Sequence, residues 1–236
     1  RAMIAMAIAN DPKVILADEP TTALDVTIQA QILEVLETAK EITGASIVLI
    51  THDLGVVAGH ADRVGVMYAG KLVEMGTTED VFTAPQMPYS IGLLRSVPNM
   101  LTAGTHRLVP LEGRPPSLAS LPQGCPFAAR CPIAIDACRE VEPSLVAHDP
   151  AEPEHVSACI RAGEIVGGEL LRSEVFPRPE AMPADERAET DGGPVLDVDG
   201  LKRHFPLMRG SVFPRRVGTV RAVDGVSFTL RPGRTL

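Results

Sequence analysis

The stretch Val14-Ile15-Leu16-Ala17-Asp18-Glu19-Pro20 decides how this chain is read. Four apolar residues run into two adjacent carboxylates, and a proline ends the run. Such a bounded run predicts a short strand buried on both faces, as in a parallel sheet. Asp18 and Glu19 then stand at the strand's carboxyl end, where open α/β sheets place their ligands. Burying two acids there is costly unless a cation or hydrogen bonds compensate. One carboxylate can hold Mg²⁺ through hard oxygens. Its neighbour can polarise an attacking water, and the two together suit phosphoryl transfer. Taken alone, a strand end with two solvated acids explains the stretch equally well.

The next residues break that tie. Thr21-Thr22-Ala23-Leu24-Asp25 follows directly, and Ile50-Thr51-His52-Asp53 closes the next apolar run. In this order and spacing, residues 1–97 resemble the second half of an ABC-transporter ATPase domain, an α/β fold of the P-loop NTPase class. The resemblance implies roles residue by residue. Asp18 matches the Walker B aspartate that holds Mg²⁺, and Glu19 the catalytic glutamate. Ala23-Leu24-Asp25 matches the D-loop, which puts Asp25 at the nucleotide. His52 matches the switch histidine, able to hydrogen-bond a γ-phosphate and sense its loss. The run Asp18-Glu19-Pro20-Thr21-Thr22-Ala23-Leu24-Asp25-Val26-Thr27-Ile28-Gln29 is similar to the oligopeptide/dipeptide permease branch in particular.

Composition narrows the rest. The chain has 236 residues, enough for one or two domains, and a net charge of −8. That balance argues against a broad nucleic-acid surface. Aromatics are 3% and Trp is absent, so the core is expected to be aliphatic. No apolar run approaches the roughly 18–20 residues needed to span a bilayer. The opening Arg1 to Ala9 has the charge and apolarity of a short signal peptide, but Asn10-Asp11-Pro12 stops it without a cleavage site. An Ala/Met/Ile helix packed on the sheet is expected there, following the family's Leu-Ser-Gly-Gly signature loop, which the chain lacks.

Periodicity supplies the coarse elements. Val26 to Thr43 reads as a helix, with Ile28, Ile32, Val35, Leu36, Ala39 and Ile42 on one buried face. Asp25 precedes it as N-cap and Gly44 follows as a stop. Ser46 to Thr51 reads as a buried strand that carries His52 to the edge holding Asp18 and Glu19. Residues 63–68 and 71–75 read as a hairpin around Ala69-Gly70. Thr77 and Asp80 have capping-box spacing, and Pro88 to Val97 reads as another helix.

Residues 98–172 change texture. Prolines recur and periodicity fades. Cys125, Cys131, Cys138 and Cys159 give the spacing C-x5-C-x6-C-x20-C. Four thiolates can close a tetrahedral zinc site or hold a cubane cluster. Zinc sites usually include a tight C-x2–4-C pair, which is absent here. Free structural cysteines also fit, whereas two disulfides do not suit a protein beside an ATPase in reducing cytosol. The segment Gly124-Cys125-Pro126-Phe127-Ala128-Ala129-Arg130-Cys131-Pro132 resembles the C-terminal extension of peptide-permease ATPases. That resemblance implies a 4Fe-4S cluster on the four cysteines, with zinc the alternative. So irregular a segment is expected to have little core of its own.

Residues 173–194 are rich in acids and prolines and read as a disordered linker. Structure then restarts over 195–236, where Val195-Leu196-Asp197-Val198 and Ala222 to Leu230 read as strands. These resemble the β-rich start of a second ABC ATPase domain. Phe205 lies where such domains often stack an aromatic on adenine, and a core phenylalanine fits nearly as well. The chain thus reads as an internal segment of a longer protein with two fused ATPase domains. No GxxxxGK[ST] occurs in it, so the segment alone is not expected to hydrolyse ATP. The resemblance implies ATP-driven peptide import with two integral membrane permease subunits and an extracytoplasmic peptide-binding protein. It places the chain at the cytoplasmic face of the membrane, peripherally bound, with no nucleic-acid partner. The alternative is a soluble, non-transport ABC ATPase of DNA repair or translation that carries an iron–sulfur or zinc structural site.

Overall fold

The computed structural model describes residues 2–97, 110–177, 193–210, 215–233 and 236. It divides into two compact units, Arg1–Ala181 and Met182–Leu236. Most of the stretch read as linker lies outside the described residues. Its first residues are helical.

The first unit begins with α1 (Ala2–Ile8), β1 (Val14–Asp18), α2 (Val26–Thr43) and β2 (Ser46–Ile50). β1 and β2 pair in parallel, with Asp18 opposite Ile50. Helices α1 and α2 cover one face of the pair, where Ile15, Ala39 and Ala45 are buried against Ile4, Ile8 and Ile47. The other face is open among the described residues. Leu16 is 72% exposed there, beside Val14, Val48 and Ile50. The expectation of a strand buried on both faces is therefore corrected. Helical cover reaches only one side, so the run is half-buried and alternates.

α2 has the expected ends. Asp25 caps it, and Gly44 stops it in the left-handed conformation at φ 65°. Its buried face is Leu33, Leu36 and Ala39, not the whole stripe expected from periodicity. Ile42 is 73% exposed. Ala39 packs against Ile15 and Ile47 of the sheet, whereas Ile42, less than a turn further on, finds no cover among the described residues.

α3 (Leu54–His60) leads to the hairpin β3 (Arg63–Tyr68) and β4 (Lys71–Thr77). Ala69 and Gly70 both have positive φ, at 51° and 78°, the geometry that a two-residue primed turn demands. The Thr77–Asp80 capping box is present at the start of α4 (Thr78–Thr83). α5 (Pro88–Arg95) follows with Pro at its first position.

The cysteine-bearing stretch builds on this hairpin. It contributes α6 (Ala137–Glu140), β5 (Val146–Ala147), β6 (Val156–Ser157), α7 (Ala162–Val166) and α8 (Arg172–Val175). β6 pairs antiparallel with β4, and the sheet runs β3-β4-β6-β5. The stretch therefore continues the sheet started by the hairpin. It also has a substantial core, contrary to expectation. Phe127 and Ala162 are fully buried with Tyr68, Val73, Met87 and Cys159. The Tyr68 and Phe127 rings meet edge to face, 5.4 Å apart. A second cluster joins Ile91, Ile165 and Val175.

The second unit is a long antiparallel hairpin, β7 (Leu196–Arg209) with β8 (Arg215–Leu230). Both strands exceed their expected spans.

Candidate functional site

At the carboxyl edge of β1, the ladder extends one residue past the strand: Glu19 N–H donates to Ile50 O at 2.9 Å. Glu19 then turns into positive φ, at 46°. That conformation is uncommon for a residue with a Cβ, and here it aims the carboxylate across the sheet edge. Its Oε1 accepts from His52 Nδ1 at 2.8 Å. Its Oε2 accepts from Thr22 Oγ1 at 2.5 Å. The Thr22 hydroxyl, then the His52 ring, hold the Glu19 carboxyl below the usual range. The same hydrogen bond, with the Glu19 charge, raises His52 above the ordinary imidazole value. Both side chains meet solvent, His52 at 80% exposure. The structure thus brings Glu19 and His52 together.

Asp18 is exposed at the end of β1. Its carboxylate takes no hydrogen bond from any described residue. An exposed carboxylate beside a shared acid–imidazole pair offers hard oxygens of the kind Mg²⁺ takes.

Asp25 is committed locally. Its Oδ1 accepts from the amides of Thr27 and Ile28, each at 3.0 Å, and from the Thr27 hydroxyl. The hydroxyl, then the Ile28 amide, lower its pKa. One link joins the Asp25 helix to the His52 turn. Gln29 Nε2 donates to Asp53 Oδ2 at 3.2 Å, and Asp53 caps α3 through Gly55 and Val56. Sequence reasoning missed Thr22 and Gln29 as partners. The signal for Thr22 was a hydroxyl three residues after Glu19; Gln29 offered none.

The four cysteines converge. All are free thiols, and all four line one small pocket with Met87 and Phe127. Burial pushes Cys131 up to about 11 and Cys159 up to about 12, and it also raises Cys125. The loop is closed by Cys125 N–H donating to Cys138 O at 2.8 Å. Gly124 is required there, because a Cβ would lie 2.4 Å from Cys138 O. Among the described residues, no three His, Cys, Asp or Glu side chains are grouped to hold a metal ion.

A buried polar cluster that sequence reasoning missed lies beneath. Glu74 is 0% exposed and His155 1%. Glu74 Oε1 accepts from Gln86 N at 2.6 Å and from His155 Nε2 at 2.9 Å. Its Oε2 accepts from Met87 N at 3.2 Å. Gln86 Nε2 donates to His155 Nδ1 at 3.0 Å.

In the second unit, Phe205 pairs with Val220 and is 47% exposed, so it is not a core residue of the described hairpin. The Arg203 guanidinium lies 4.9 Å from its ring centre.

The first unit is a mixed α/β fold, and its sequence is similar to the C-terminal part of ABC ATPases. Comparison with known proteins gives the narrower assignment. Residues 73–138 match the family described as oligopeptide/dipeptide transporter, C-terminal region. The chain is 51% identical over all 236 residues to the oligopeptide transport ATP-binding protein OppD of Mycobacterium bovis, covering 37% of it. It is 57% identical over 143 residues, 61% of its length, to the dipeptide transport ATP-binding protein DppD of Bacillus subtilis, covering 42% of that protein. It is 49% identical over 164 residues, 70% of its length, to OppD of Salmonella typhimurium, covering 48% of that protein. Over its whole length the chain is similar to peptide-transport ATP-binding proteins, and it spans less than half the length of these relatives.

Proposed function

We propose that this chain is part of an ATPase that powers peptide import across a membrane. The observation that carries the reading is Glu19, held between His52 and Thr22 beside the exposed Asp18 at one sheet edge. Asp18 would hold Mg²⁺ on bound ATP, and the metal would supply neutralisation of phosphate charge. Glu19 is the base that orients and deprotonates water, and His52 contacts the γ-phosphate while steadying Glu19. Asp25 fixes the loop between them. The open face of Val14, Leu16, Val48 and Ile50 would be covered by the rest of the ATPase domain, which the longer relatives have room to supply.

No helix among the described residues is long and apolar enough to cross a membrane. Transport then needs integral membrane permease subunits, with this protein peripheral on the cytoplasmic side and a peptide-binding protein on the other. Residues 195–236 are read as the start of a second, fused ATPase domain, with the half-exposed Phe205 available to stack on adenine. In the full-length protein, His52→Ala should abolish peptide uptake while nucleotide still binds; normal uptake would refute the assignment.

The four thiols are read as the ligands of a 4Fe-4S cluster, with zinc as the alternative. Four thiols on one apolar pocket support this, and their chemistry suits soft metals. The group would act as a structural cross-link. Protein purified without oxygen should contain about four irons and four sulfides per chain, and Cys138→Ser should lose them. Stoichiometric zinc without sulfide would replace the cluster by a zinc site.

A further inference from the structure

Cys125, Cys131 and Cys138 fall within one short loop, but Cys159 arrives from the far side of a long excursion. Something must deliver it. We propose that the buried Glu74–His155 pair is a clasp that positions Cys159, and that Arg130 independently positions the loop bearing the other three thiols. The proposal concerns how the thiol site is assembled and so rests on the thiols acting as a site.

Glu74 sits on β4 directly opposite Ser157 of β6. Its carboxylate gathers three donors from two other places in the chain. The Gln86 and Met87 amides come from the entry to α5, and His155 Nε2 comes from the segment leading into β6. Ala158 N–H then donates to Val73 O at 2.8 Å. The next residue is Cys159. The carboxylate thus fixes Met87, one wall of the thiol pocket, and draws in the strand that ends at the fourth thiol. A buried carboxylate that loses its imidazole keeps a charge with too few donors, so the contact is costly to open.

The three-thiol loop has a different anchor. Arg130 Nε donates to Glu112 O at 2.8 Å and Nη2 to Leu111 O at 2.9 Å. Nη1 donates to Tyr68 Oη at 3.1 Å. None of these partners belongs to the Glu74 cluster. Two anchors, sharing no residue, hold the two halves of the site.

The test is a crossed experiment on the full-length protein as purified. Each cysteine's alkylation rate under native conditions is read by mass spectrometry. His155→Ala should speed Cys159 by about 10²-fold or more, since a buried pair resists opening by that order, and should leave Cys131 and Cys138 within a few-fold. Glu74→Gln, which preserves volume, should show the same pattern more weakly. Arg130→Met should do the reverse, speeding Cys131 and Cys138 and sparing Cys159. Leu36→Ala, a core truncation in α2, controls for general loss of stability and should change no cysteine selectively. The proposal is overturned if His155→Ala and Arg130→Met accelerate all four thiols alike, if Leu36→Ala reproduces either pattern, or if Cys159 stays protected without His155. Iron analysis of the wild type separately judges the cluster reading, because the alkylation pattern needs no metal.

Discussion

At the β1 edge, Glu19 takes its hydrogen bonds from Thr22, three residues on, and from His52, and all three side chains meet solvent. Beneath the thiols, His155 reaches Glu74 across 81 positions, and both are sealed from water. The electrostatics run in opposite directions. Hydrogen bonds depress Glu19 at the open edge, whereas burial raises the thiols. An exposed carboxylate needs no compensation before its ligand arrives, so the edge can wait open for nucleotide and metal. Buried groups must be satisfied by the protein itself, so the second region is built from long-range contacts and carries its own core.

The contrast can be broken by exchanging the expected penalties. His155→Leu leaves the Glu74 carboxylate buried with two amide donors. It should cost about 3–5 kcal/mol of stability, read by denaturant unfolding of the first unit's signal in the full-length protein. His52→Leu, at the open edge, should leave the unfolding midpoint nearly unchanged by the same measurement. Equal costs would erase the distinction between the regions.

Next is the pH dependence of the buried pair. Burial pushes His155 down, but the Glu74 hydrogen bond and charge, with Asp80 and Glu152 nearby, outweigh it and raise the net value. A raised histidine contributes stability in full below its unfolded pKa of about 6.5, and the contribution fades as pH rises through the folded value. Gln86 Oε1 is buried without a partner, so a flipped amide would turn that oxygen towards Nδ1–H of the protonated ring. The stability lost in His155→Gln should therefore be larger at about pH 6 than at about pH 9. A loss that grows with pH would contradict this.

The smallest effect sharpens the open edge. Asp25→Ala removes the α2 cap and should lower the unfolding temperature by a small but measurable amount. Asp25→Asn should recover most of it, since an amide oxygen can accept the same bonds, as thermal unfolding of both variants would show.

Sequence carried the open edge well, because its parts are local. Adjacent acids, a cap three residues before Ile28, a positive-φ turn at Ala69-Gly70 and a Thr77–Asp80 box are all short-range patterns. It misjudged cover. Leu16 and Ile42 are apolar, and nothing local says whether a partner lies over them. The four cysteines stood out in the sequence as one local site, but the Glu74–Gln86–His155 cluster left no trace. A lone acid in a strand and a histidine just after two nearby acids resemble solvated residues until β6 docks on β4. For the same reason, the segment's prolines suggested a missing core, when its core is shared with the hairpin.

The account turns most directly on Glu19. In the full-length protein, nucleotide binding and single-turnover hydrolysis should be measured together for Glu19→Gln. Binding should stay within about two-fold of wild type while hydrolysis slows about 10²–10⁴-fold, as loss of a general base predicts. Hydrolysis within a few-fold of wild type, at a site shown to depend on the same domain's phosphate-binding loop, would contradict the reading of this edge as catalytic.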